Sequence, residues 1–140
     1  MPDIMSIEAN WRQGFHFDVH TGTGHDLTVD ASPEVGGSND GPRPIELLLV
    51  ANATCMAMDV ISILRKMRQE VRSYRLKATG ERVDEHPRIF KHILIEHFLE
   101  GDVEEGKLAH AIRLSEEKYC SVSAMLDKVA KIETKYTVNP

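Results

Sequence analysis

The two cysteines are the residues of this 140-residue chain with the most distinctive chemistry. Cys55 and Cys120 are its only thiols and stand 65 positions apart. Two cysteines are too few for a disulfide framework or a four-cysteine zinc site. Free cysteines are often simply small buried residues, so the surroundings of each thiol decide between a structural and a reactive interpretation.

Cys55 lies in a long apolar segment that is predicted to be a helix over residues 44–64. Pro44 suits the first helical position, and Glu46 in the first turn complements the helix dipole. Almost every face of this helix is apolar, which predicts a central helix covered on most sides. Three polar residues near the thiol either satisfy neighbouring elements or line a site: Asn52, Thr54 and Asp59.

Cys120 follows an amphipathic helix predicted over 103–118, whose buried stripe includes Ser115. Tyr119-Cys120-Ser121 breaks that register, and a short second helix is predicted to begin near Cys120 or Ser121. Unpaired N–H groups at a helix start favour a thiolate. The alternative is a cysteine that acts as an indifferent cap residue.

The remaining patterns predict strands around these helices. Alternation indicates a hairpin over 7–19 with one buried face, a short third strand at Leu27 and Val29, and a loop over 31–43. Two further strands, 71–83 and 88–100, form a second hairpin, and a terminal strand covers 134–138. The order β-β-β-α-β-β-α-α-β is an α+β arrangement, and we expect one domain over residues 1–140.

Composition limits the function. The chain has 17 Lys and Arg against 22 Asp and Glu, a net charge of −5, so we expect no nucleic-acid partner and no membrane partner. The N-terminus lacks the features of a secretory signal, and the longest apolar stretch is shorter than a membrane span requires. We therefore expect a cytoplasmic protein. The seven histidines show no metal-ligand spacing, so no metal and no cofactor is expected.

Three segments together resemble the family of osmotically inducible protein C and organic hydroperoxide resistance proteins (OsmC/Ohr). They are residues 44–60 with Cys55, residues 81–90, and residues 114–126 with Cys120. The sequence around the cysteines looks like the OsmC-like branch. The resemblance implies an OsmC-like fold and an intertwined homodimer, in which long central helices are wrapped by antiparallel sheets.

The resemblance also implies a thiol-dependent peroxidase. Cys55 would attack an organic hydroperoxide as a thiolate and become a sulfenic acid, and Cys120 would resolve it to a disulfide. A dithiol reductant, lipoyl-type in parts of the family, would restore the pair.

Ile45 stands where the family commonly has its catalytic glutamate. Position 45 lies roughly 80° around the helix from Cys55, and Glu46 lies roughly 180° around. Glu46 and Arg43 are the candidate catalytic residues that this chain offers for the family's glutamate and arginine, and Arg12 is a second source of arginine. The alternative is that the chain is not an enzyme. It would then be an OsmC-like dimeric protein that acts in stress or binds a small apolar ligand.

Overall fold

The computed structural model describes residues 3–140, so the first two residues of the N-terminal segment considered above lie outside it. The strands and helices follow the predicted order. They are β1 (Ile7–Gln13), β2 (His16–Thr21), β3 (Asp26–Val29), α1 (Pro44–Lys66), β4 (Glu70–Arg82), β5 (Phe90–Asp102), α2 (Glu105–Leu114), α3 (Ser121–Leu126) and β6 (Lys131–Val138). A 3-10 turn at Pro33–Val35 precedes α1, and a π turn at Ser115–Tyr119 follows α2.

The chain divides into two compact units, one ending at Leu48 and the other beginning at Leu49. Helix α1 begins in the first unit and continues into the second. That the whole chain forms one domain stays a prediction.

The first unit contains an antiparallel sheet in the order β1-β2-β3. Its apolar face is exposed: Ile7 is 60% exposed, Trp11 65% and Phe17 36%. The prediction of a buried face on this hairpin is therefore wrong for the single chain. The residues of alternating polarity do form the predicted strands, but within residues 3–48 no layer covers their apolar side.

The loop that leads into α1 is held by the buried carboxylate of Asp30. Its oxygens accept backbone N–H groups from Ala31 at 2.7 Å, Ser38 at 3.1 Å and Asp40 at 3.1 Å. Burial raises the pKa of the Asp30 carboxyl, but these three hydrogen bonds outweigh it and leave the pKa below its ordinary value. A Cβ on Gly37 would lie 2.0 Å from the Ala31 carbonyl oxygen, so the loop needs glycine there.

The second unit contains most of α1 and a sheet in the order β4-β5-β6. Strands β4 and β5 are antiparallel, as the predicted hairpin requires, but β6 pairs with β5 in parallel. The resemblance implied antiparallel sheets, and the parallel strand β6 is an exception to that expectation. The helices between β5 and β6 carry the chain back across the sheet, so β6 enters in the same direction as β5. Fully buried apolar side chains come from α1, β5 and α2: Met56, Val60, Leu64, Ile93, Ile95, Leu99 and Leu108.

Only part of α1 is covered within the single chain, contrary to the prediction of a helix covered on most sides. Its buried residues are Asn52, Ala53, Met56, Ala57, Val60 and Leu64. On other faces Val50 is 55% exposed and Met58 is 69% exposed. The helix has 23 residues, and a window of 18 has a mean hydropathy of 2.0. By length and composition alone it is thus able to cross a membrane, contrary to the expectation that the apolar stretch is too short. Core helices of other proteins pass the same test.

Candidate functional site

The structure brings the two cysteines together. Three atoms lie within 4.8 Å of one another: the sulfurs of Cys55 and Cys120 and a carboxylate oxygen of Asp59. Cys55 and Asp59 are four residues apart on α1, so their side chains share one face of the helix. Cys120 reaches the same point from the start of α3. Both thiols are free, so the site holds a reduced dithiol beside a carboxylate.

Cys120 is fixed in place by the hydrogen bonds of a helix cap. Its Sγ accepts the backbone N–H of Ser123 at 3.3 Å, and its own N–H donates to the carbonyl of Ser115 at 2.8 Å. The first bond confirms the prediction that Cys120 stands at a helix start. The residue is only 3% exposed, whereas Cys55 is half-buried. Cys55 is therefore the thiol that solvent reaches more readily.

The cap does not make Cys120 acidic. Burial is the largest influence and raises the pKa of the Cys120 thiol, and the neighbouring Cys55 raises it further. The hydroxyl and backbone N–H of Ser123 lower it, but they do not outweigh burial. Of the two interpretations of Cys120, the structure therefore favours the cap residue over the thiolate, because the helix start itself is buried.

Two side-chain hydrogen bonds join α1 to the segment that carries Cys120. Asn52 Nδ2 donates to Ser123 Oγ at 2.8 Å, in a fully buried position. One turn beyond Cys55, Asp59 Oδ2 accepts the hydroxyl of Ser115 at 2.8 Å. The polar residues of the apolar helix thus position the two thiols relative to each other. Thr54 has a local role, since its hydroxyl donates to the Val50 carbonyl at 2.7 Å.

Ser115 and Ser123 are the site residues that the sequence analysis did not single out. Ser115 was visible as a serine on the buried stripe of the helix predicted over 103–118, and buried polar groups need partners. Ser123 stands three residues after Cys120, the spacing at which a backbone N–H reaches a cap side chain. Neither signal identifies the partner on α1.

Arg43 and Glu46 lie in the first unit, whereas both cysteines lie in the second. The N–H of Arg43 donates to Glu46 Oε1 at 2.9 Å, which caps the start of α1. The Arg43 guanidinium donates to the Gly41 carbonyl at 3.0 Å, and Arg12 pairs with Asp18 at 3.0 Å. The contacts of all three residues are thus local ones, and their catalytic roles stay predictions.

Comparisons with known proteins identify the family. A sequence model of the family described as OsmC-like protein matches residues 37–135. Protein YhfA of Escherichia coli is 40% identical over 136 residues, which are 96% of this chain and 98% of that protein.

Solved structures show the same fold. A hypothetical protein from Aquifex aeolicus superimposes with a TM-score of 0.88 at 34% identity, covering 99% of this chain and 98% of that one. An organic hydroperoxide resistance protein OsmC from Legionella pneumophila superimposes with a TM-score of 0.74 at 14% identity, covering 96% and 97%. The α+β arrangement is thus the OsmC-like one, and this chain belongs to the OsmC-like protein family.

Proposed function

We propose that this protein is a thiol-dependent peroxidase that reduces organic hydroperoxides with Cys55 and Cys120. The observation that carries the proposal is the distance of at most 4.8 Å between the two sulfurs. A disulfide requires about 2.05 Å, so the sulfurs would have to approach each other by at most about 2.8 Å. Membership of the OsmC-like family supports a redox or stress role for such a pair.

The reaction has two steps at the cysteines. The Cys55 thiolate attacks one peroxide oxygen and breaks the O–O bond, which gives a Cys55 sulfenic acid and an alkoxide that takes up a proton to become the alcohol. The Cys120 sulfur then attacks the Cys55 sulfur, forming the disulfide and releasing water. An external dithiol returns both cysteines to thiols and is itself oxidised to a disulfide.

The two thiols differ in exposure, which supports Cys55 as the attacking thiol and Cys120 as the resolving one. The half-buried Cys55 is accessible to a peroxide, whereas Cys120 is buried. Burial raises the pKa of the Cys120 thiol, which suits the resolving role rather than the attack on the peroxide. The preference for an organic peroxide over hydrogen peroxide is the one that the family resemblance implies.

The substrate class is supported by the hydroperoxide resistance protein from Legionella pneumophila, whose fold this chain shares. The proposed reductant is a dithiol, lipoyl-type in parts of the family. We place the protein in the cytoplasm, where thiols are kept reduced.

We further propose that the protein works as a homodimer. Val50 and Met58 are large apolar side chains exposed on α1, and burying them against a second copy would remove this surface from water. Sedimentation equilibrium is expected to give twice the mass of the chain, and Met58→Glu is expected to shift the protein toward the monomer. A monomeric parent protein would contradict this part of the proposal.

Glu46 is retained as a candidate catalytic residue together with Arg43. Glu46→Gln keeps an oxygen that can accept the Arg43 N–H but removes the negative charge. A slower peroxide reaction with unchanged stability would assign the charge a role in catalysis. An unchanged rate would leave Glu46 as a helix cap.

Trapping of the intermediate tests the proposal directly. In Cys120→Ser the resolving thiol is absent, so one equivalent of cumene hydroperoxide is expected to leave a sulfenic acid at Cys55 that dimedone captures. Peptide mass spectrometry locates the adduct, and Cys55→Ser is the matched control. No adduct at Cys55, with the peroxide left unconsumed, would support the non-enzymatic alternative instead.

A further inference from the structure

The side chains of Cys55, Asp59 and Cys120 have a second chemical capacity besides peroxide reduction. Two sulfurs and one carboxylate oxygen lie within 4.8 Å of one another. Deprotonated, they are three anionic donors that repel each other at this distance. A divalent cation between them would replace that repulsion with attraction.

The donor types and their spacing suit a zinc-class metal. Thiolates select thiophilic metals such as Zn²⁺, and carboxylates also bind Zn²⁺. With Zn–S of about 2.3 Å and Zn–O of about 2.1 Å, tetrahedral geometry places the donors roughly 3.5–3.8 Å apart. The observed limit of 4.8 Å therefore requires side-chain movements of roughly 1 Å. The partial exposure of Cys55 leaves access for a water as fourth ligand.

Two of the three donors are already oriented by neighbouring groups. The hydroxyl of Ser115 donates to Asp59 Oδ2 at 2.8 Å, which leaves the other carboxylate oxygen for a metal. The backbone N–H of Ser123 points at Cys120 Sγ from 3.3 Å. Hydrogen bonds of this kind hold metal ligands in place and tune their affinity.

We propose that the reduced protein binds one Zn²⁺, or another thiophilic divalent cation, through Cys55, Asp59 and Cys120. The site goes beyond the peroxidase proposal, since it requires only the reduced thiols and no peroxide. Metal and peroxide compete for the same sulfur electron pairs. Bound metal therefore slows the oxidation of Cys55, and formation of the disulfide abolishes the site.

Titration with Co²⁺ under anaerobic conditions tests the proposal. The protein is first reduced, freed of metal with a chelator and desalted. We expect a thiolate-to-cobalt charge-transfer band that saturates at one metal per chain and disappears when Zn²⁺ is added. Cys55→Ala and Cys120→Ala are expected to weaken binding by more than about 100-fold, and Asp59→Asn by about 10-fold. Asp59→Asn retains an oxygen that accepts the Ser115 hydroxyl.

Two control variants separate the proposed site from other causes. Thr54→Ala changes an exposed neighbour of Cys55 and is expected to bind as the parent does. His16→Gln removes one ligand of another donor group in the described part of the chain, formed by His16, Asp30 and Asp40, and is also expected to bind normally.

The proposal is overturned by absence of the charge-transfer band at an excess of metal, or by binding that survives both cysteine substitutions. An affinity unchanged in Asp59→Asn would overturn the three-ligand site. Peroxide consumption by the metal-free protein is measured separately. The two measurements therefore distinguish a peroxidase that binds no metal from a metal-binding protein with no peroxidase activity.

Discussion

The bond between Asn52 and Ser123 is a sharp test of how the site is held together. Ser123→Ala removes the acceptor to which Asn52 Nδ2 donates. The other polar atom of this amide, Oδ1, is buried and has no hydrogen-bond partner among the described residues. A buried donor left unsatisfied costs about 1–3 kcal/mol. We therefore expect Ser123→Ala to lower the free energy of unfolding by about 2 kcal/mol, a large part of the roughly 5–15 kcal/mol typical of a domain.

A double-mutant cycle isolates this interaction. Asn52→Leu replaces the amide with an apolar side chain of similar volume and leaves the Ser123 hydroxyl without its donor. In the double variant Asn52→Leu/Ser123→Ala no polar group of the pair is left unsatisfied. Its destabilisation is therefore expected to be smaller than the sum of the two single effects by at least about 1 kcal/mol.

Urea titration followed by circular dichroism measures the three variants and the parent. All samples need the same chain concentration, because the proposed dimer would make stability depend on concentration. Ser121→Ala, an exposed position on the same helix, is the matched control and is expected to change stability by less than about 0.5 kcal/mol. The reasoning is refuted if Ser123→Ala resembles this control, or if the two single effects simply add.

Stability is expected to fall as the pH drops below 6.5, since burial lowers the pKa of His97 to about 4 and unfolding then takes up a proton. The loss grows through that window to at most about 3 kcal/mol, and urea titrations at several pH values should show a flatter dependence in His97→Gln. Iodoacetamide is expected to alkylate Cys55 before Cys120, because Cys120 is buried and burial raises its pKa. Peptide mass spectrometry gives the order, and equal rates would contradict it. Ser115→Ala is expected to cost about 1 kcal/mol, because the half-buried Asp59 carboxylate loses its donor. An unchanged midpoint of unfolding would show that water replaces the hydroxyl fully.

Local patterns were enough to predict the elements of this fold. Alternating apolar residues located the strands, and Pro44 marked the start of α1 at the residue where it begins. The register break at Cys120 correctly separated α2 from α3. These features depend on neighbours within a few positions, so the sequence displays them directly.

Contacts between distant segments were not predictable in the same way. The parallel pairing of β6 with β5 depends on the path of the helices between them. Asn52 and Asp59 were visible as polar residues on an apolar helix, but their partners stand 71 and 56 positions away. The pKa of Cys120 also depended on tertiary burial, which reversed the effect expected from the helix start.

Stopped-flow consumption of cumene hydroperoxide by the fully reduced, metal-free protein tests the peroxidase proposal most directly. We expect rapid loss of one peroxide per chain, ending in a disulfide between Cys55 and Cys120. Cys55→Ser should abolish the rapid phase, and Cys120→Ser should keep it but end in a sulfenic acid. A rate no faster than that of a free thiol in solution, unchanged in Cys55→Ser, would contradict the proposed function.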